Sequence, residues 1–269
     1  MLKKIIRTAM VVTALTASLS AAPMTGDEII SKHIAAVGGE SAIRAVKNLT
    51  MTGSMFAQGM TLEMKMQVAV PDKAYMEVSM NKMVVQSGGV NGSDAWTGTP
   101  MGKFMLGGEM KAKSLEQTDI FPFLDYKKKG AKAKFVGDDL VKGTKALRVE
   151  FVSPSNDTTN YYFDATSYYM LKKKDTGSTS TMSDYKKVGG ILMPYKLQEQ
   201  GEMGSAMITL DTIYVNSSIP DSVFSIPKDA KPYEELQKMM QQMQQMRQGG
   251  GGTSSDTGAA KKDTTGGKK

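Results

Sequence analysis

Three consecutive segments of this chain keep a two-residue period, and that pattern limits the folds open to it. Leu49, Met51 and Met55 alternate with Thr50, Thr52 and Ser54. Met60, Leu62, Met64, Met66, Val68 and Val70 alternate with Thr61, Glu63, Lys65 and Gln67. After Pro71-Asp72 come Ala74, Met76, Val78 and Met80, interleaved with Tyr75, Glu77 and Ser79. Successive strand side chains point to opposite faces, so these segments read as antiparallel strands with one apolar and one wet face. Burying each large apolar side chain is worth roughly 1.5–3 kcal/mol, so that face must be covered. A second sheet or a few helices on one curved sheet would cover it.

Thr25-Gly26-Asp27-Glu28 spells a capping box at the start of a helix that carries Ile29, Ile30, Ile34 and Val37 on one face and ends at Gly38-Gly39. A second short helix is expected from about Glu40 to Val46, burying Ala42, Ile43 and Val46. Short strands near 83–87 and 94–97 continue the meander. Between Gly107 and Asp125 the alternation stops, which allows a helix around 109–117 followed by the apolar cluster Ile120, Phe121, Phe123 and Leu124. Strands resume near 133–136, 146–152, 159–163, 168–173, 178–186, 191–198 and 206–215, with Gly-containing turns between several of them. The fold class is therefore mainly β (α+β), with about eleven strands and no βαβ rhythm. The two N-terminal helices and the segment after Gly107 are short, so they would cover an apolar face incompletely and leave a groove.

Residues 1–22 hold Lys3, Lys4 and Arg7, an apolar run too short for a bilayer, and small residues near Ser20–Ala22. They read as a cleaved secretory signal peptide and predict a periplasmic protein. Residues 23–231 form the expected curved-sheet domain, 232–248 an amphipathic helix rich in Met and Gln, and 249–269 a disordered Gly/Ser/Thr/Lys tail. The formal net charge of +7 belongs mostly to the appendages, because residues 23–248 carry 27 basic against 25 acidic side chains. That near-balance argues against a nucleic-acid partner. Without cysteine there are no disulfides, thiol nucleophiles or Cys-held metals, and a single histidine excludes a relay of histidines within one chain.

Methionine outnumbers leucine, 23 to 15, and gathers on the inward side of the first three strands. An unbranched thioether adapts to irregular space, so the strip reads either as a pliable apolar cavity for acyl chains or as Met replacing Leu in an ordinary core. On the first reading Met51, Met55, Met60, Leu62, Met64, Met66, Val68, Met76, Val78 and Met80 line the cavity, with Trp96 at its mouth. No catalytic residue, cofactor or metal site is assigned. G-x-S-x-G and the P-loop are absent, and S-x-x-K occurs only in strand or turn contexts. His33, beside the apolar stripe of the first helix, reads as a packing residue. Lys127–Lys129 and Lys172–Lys174 read as solvated strand ends, with anionic lipid head groups as the alternative partner. Met240, Met243 and Met246 leave two further readings open, a partner-binding helix and a Cu(I) site built from thioethers.

The order of elements, the Ile29–Leu49 opening with its Gly38-Gly39 break, Asn91-Gly92-Ser93-Asp94-Ala95-Trp96 before Pro100, and Phe224-Ser225-Ile226-Pro227 after the last strand resemble the LolA/LolB-type lipoprotein carriers. The resemblance spans about Thr25 to Pro227. It implies an unclosed β-barrel whose helices lid an apolar cavity on the concave face, shielding the acyl chains of a lipid or lipoprotein in transit to the outer membrane without catalysis. It also implies transient contact with membranes and with lipoprotein-handling proteins of either membrane. Arg44 lies on the kind of element that carries the family's lid-fastening arginine, without a local motif to mark it.

Overall fold

A computed structural model describes residues 24–249 apart from 117, 202 and 203, so the signal-peptide reading and the tail from 250 onward lie outside the described residues. Helix α1 (Gly26–Ala36) starts at the expected box: the Glu28 amide donates to Thr25 Oγ1 (3.2 Å), and the Thr25 amide donates to the Glu28 carboxylate (2.7 Å). Gly38 and Gly39 adopt φ of 128° and 84°, a region open to glycine, and break the chain before α2 (Glu40–Arg44). A Cβ on Gly38 would come within 2.7 Å of the Gly190 carbonyl, so this break also lets the helix end sit against a sheet turn.

The strands are β1 (Asn48–Ala57), β2 (Met60–Ala69), β3 (Lys73–Met80), β4 (Met83–Asn91), β5 (Asp94–Thr99) and β6 (Gly102–Met105), then, after α3 (Gly108–Glu116), β7 (Lys132–Val141), β8 (Thr144–Val152), β9 (Thr158–Asp164), β10 (Met170–Lys174), β11 (Ser178–Val188), β12 (Ile191–Gly201) and β13 (Gly204–Val215). They form one antiparallel sheet in the order β6-β5-β4-β3-β2-β1-β13-β12-β11-β10-β9-β8-β7. Thirteen strands replace the expected eleven. Part of the excess is β6, only four residues long (Gly-Lys-Phe-Met) and too short to show a period. β6 and β7 are the two ends of the sheet, so the barrel is unclosed. Bulges at Thr52/Gly53, Val78/Ser79, Phe135/Gly137 and Met170/Lys172 bend the strands locally.

No second sheet faces this one among the described residues. Its inner side is covered by α1, α2 and the chain from 118 to 131. Ile29 and Ile30 pack with Phe123, Tyr126, Val149, Tyr161 and Phe163 in one cluster. Val37, Ile43 and Val46 join Leu49, Met51, Val68, Ile191 and Ile213 in a second, to which Ile120, Phe121 and Leu124 are added. On the outer side, residues 216–231 run from β13 to β6. Ser217 meets Thr50 (3.2 Å), Asp221 pairs with Lys73 (3.1 Å), a 3₁₀ turn (Asp221–Phe224) lies against β3 and β4, and Lys231 bonds to the β6 backbone. Helix α4 (Tyr233–Gly249) follows and touches β6.

Candidate functional site

Register places the predicted residues. Met51 opposes Met66, Met55 opposes Leu62, Met66 opposes Met76 and Met64 opposes Val78, so these side chains share the inner face, with Val68, Met60 and Met80 in the same alternation. Coverage along this strip is uneven. Met51, Val68 and Val78 are buried, whereas Met55, Leu62, Met64, Met66 and Met76 are half-buried and Met60 and Met80 are exposed. Ten of the eleven predicted residues therefore form one continuous apolar strip that passes from beneath the lid to an open edge.

Trp96 stands apart. It pairs with Gly89, Gly89 with Tyr75, and Tyr75 with Gln67, which occupies the polar alternation of β2. It therefore lies on the outer face, 6.3 Å from Tyr75 and only 5% exposed. The outer strap crosses these same strands, which explains how an outward-facing indole is buried. The sequence placed Trp96 at the cavity mouth; the structure places it behind the sheet.

A cavity of about 60 Å³ lies between α1, α2 and the 120–124 segment, lined by His33, Ile34, Val37, Ile43, Ile120, Phe121, Pro122, Phe123, Leu124 and Met170. None of the eleven predicted residues lines it. Ligand pockets run from about 300 Å³ upward, and a single water takes about 30 Å³ of liquid, so this space is too small for an acyl chain.

The lid pieces are tied together by charge. Arg44 on α2 contacts Asp125 at 2.7 Å and Glu40 at 2.7 Å. Lys128 and Arg44 together hold the Asp125 carboxyl below the usual carboxylate range, and Asp125 and Glu40 raise the Arg44 guanidinium. Asp27 on α1 accepts from Tyr126 and Lys127; burial works against its charge, yet these donors hold its carboxyl below its ordinary value. Both helices are thus clasped to the one crossing segment, through contacts that join residues far apart in sequence.

His33 is the buried titratable group of the lid. Its Nδ1 lies 2.9 Å from the Tyr168 carbonyl, which only accepts, so Nδ1 carries the proton and donates. The ring packs edge-on against Phe123 (5.4 Å) and tilted against Phe163 (4.9 Å). Burial lowers its pKa from 6.5 to about 4, against the opposing pull of the Tyr168 carbonyl. Sequence reasoning read it as a packing residue, and this is its place in the fold. The residues that reasoning missed are Asp125, Asp27 and Tyr126, for which no local signal exists. Met240 and Met243 of α4 are about two-fifths exposed and Met246 is three-quarters exposed.

No family model matches the chain, and no curated protein matches it. Solved structures do. A DUF1329 family protein from Desulfovibrio piger superposes with a TM-score of 0.56 at 12% identity, over 74% of this chain and 97% of that one. A domain assigned to outer membrane lipoprotein sorting from Vibrio parahaemolyticus gives 0.54 at 15% identity, over 74% and 96%. A LolA superfamily protein from Nitrosomonas europaea gives 0.52 at 9% identity, over 76% and 99%. At these identities the likeness concerns architecture, and it spans nearly the whole of each neighbour. The chain therefore has the fold of the LolA-type lipoprotein-sorting proteins, an unclosed antiparallel barrel with helices laid on its inner face.

Proposed function

We propose that this protein is an exported, periplasmic carrier that holds the acyl chains of a lipid or lipoprotein against the methionine strip and passes them on without chemistry. The observation that carries this reading is the uneven cover of the inner face: a clasped lid over one half and half-buried methionines over the other. A soluble domain that leaves a contiguous apolar surface open has a partner for it. Thioether side chains suit a partner that is fluid and variable. Each methylene brought against the strip contributes about 0.8 kcal/mol, so a long acyl chain is held by contact area and needs no fixed polar motif. The fold shared with lipoprotein-sorting proteins supports the same assignment.

The 60 Å³ space describes the closed lid, so on this reading cargo enters along the open part of the strip and deepens its seat as the Arg44–Asp125 and Asp27–Tyr126 contacts part. The test is a pair of charge insertions on one strand. Met64→Lys places an ammonium on the strip and should abolish binding of a fluorescent fatty acid. Glu63→Lys, on the opposite face of the same strand, should leave it unchanged. Equal effects from both would remove the strip as the site, and native mass spectrometry of the protein from its own host, showing no bound lipid, would remove the carrier reading.

A further inference from the structure

The turns β1–β2, β3–β4 and β5–β6 all lie at one end of the sheet, because each joins strands at the same end of an antiparallel meander. Their tips read Ala57-Gln58-Gly59-Met60, Met80-Asn81-Lys82-Met83 and Thr99-Pro100-Met101-Gly102. Each presents an exposed thioether: Met60 at 46%, Met83 at 68% and Met101 at 56% of full exposure. Just behind the first tip, on the outer face, Phe56 stands directly opposite Met207, and both are about half exposed. A row of large apolar side chains on three neighbouring tips is unfavourable in water and marks an interaction surface.

We infer that this end of the sheet docks on the surface of a lipid bilayer. The tips are separate prongs with small polar spacers and form no groove, so no single rigid protein element would fill them, whereas a fluid acyl boundary closes around each. Charge agrees: the three tips hold no carboxylate, and their one ionic group is Lys82, suited to the anionic head groups of a membrane surface. Geometry agrees as well. Met60 and Met80 are at once tip residues and the last residues of the methionine strip, so docking sets the strip's open end against the acyl region. This deepens the carrier reading by giving its strip a dry entrance, but the docking itself is measured separately from cargo binding.

The test uses the full chain and flotation with vesicles of phosphatidylethanolamine and phosphatidylglycerol. The wild-type chain floats with the vesicles. The double variant Met83→Asp, Met101→Asp, which alters two tips and no strip residue, should weaken partitioning by about a hundredfold, at about tenfold per 1.4 kcal/mol lost for each thioether. Leu140→Asp, at the far end of the sheet and 65% exposed, should leave partitioning unchanged. Fluorescent fatty-acid binding in vesicle-free solution, read on the same variants, reports on the strip alone and should persist in the double variant. Failure of the wild type to float, an unchanged double variant, or an equal loss in Leu140→Asp overturns the docking. Loss of fatty-acid binding by the wild type itself, with flotation intact and sensitive to Met83 and Met101, overturns the carrier reading and leaves the docking standing.

Discussion

Acid should loosen the lid through His33, and the size of the effect follows from its surroundings. The ring is 8% exposed, and the groups against it are Phe123 of the crossing segment, Phe163 and Met170 of the sheet, and the Tyr168 carbonyl. None of these is ionic. The nearest charge on its own helix, Lys32, is turned to the Tyr168 hydroxyl at 3.1 Å. With a folded pKa of about 4 against an ordinary 6.5, the folded state binds fewer protons than the unfolded chain between those values. Stability is therefore full above about pH 6.5 and falls as the pH drops toward 4. The gap is worth about 3 kcal/mol once both states are protonated. The assay is urea unfolding at a series of pH values for the wild type and His33→Phe, which keeps an aromatic ring and cannot titrate. Carboxylates such as Asp27 and Asp164, whose pKa values are also lowered, contribute to the acid limb of both curves and cancel in the difference. The wild type should lose about 3 kcal/mol more than the variant between pH 7 and pH 4, most of it below pH 6. Parallel curves would refute the argument, because they would mean that the imidazole ionises as easily inside the fold as outside it.

Two other perturbations test the clasp and the outer face. Arg44→Ala removes the contact between α2 and the crossing segment; both partners are solvent-facing, so global stability should barely move, while amide exchange in α2 and around Phe121–Leu124 should quicken by about two- to fivefold. Unchanged exchange there would mean that the lid is held by packing alone. Gly89→Ala puts a Cβ 2.8 Å from Trp96 Nε1 and 3.0 Å from the Ala74 carbonyl, so it should cost about 1–3 kcal/mol by overpacking and move the emission of the sole tryptophan. Unaltered fluorescence and stability would contradict the placement of Trp96 behind the sheet.

The legible parts of this fold were those fixed by neighbours in sequence. Thr25 and Glu28 lie one helical turn apart, and their capping box is present as read. The alternation from Leu49 to Met80 placed ten residues on one face because period and register agree along a meander of tight turns. β6 escaped because four residues carry too little period, and Trp96 was misplaced for a related reason. A one-residue change of register across the β4–β5 turn exchanges the two faces, and nothing within Asp94–Thr97 records which face the chain will later cover.

By itself, then, the sequence determined the strands, the helix starts and the identity of the apolar face, since each depends on spacing over a few residues. The tertiary structure alone decided how far that face is covered, which groups clasp the cover, and which end of the sheet is left apolar. Those outcomes depend on where residues 118–131 and 216–231 cross the sheet, and the pairing of Arg44 with Asp125 or the burial of Trp96 exists only once those crossings are made.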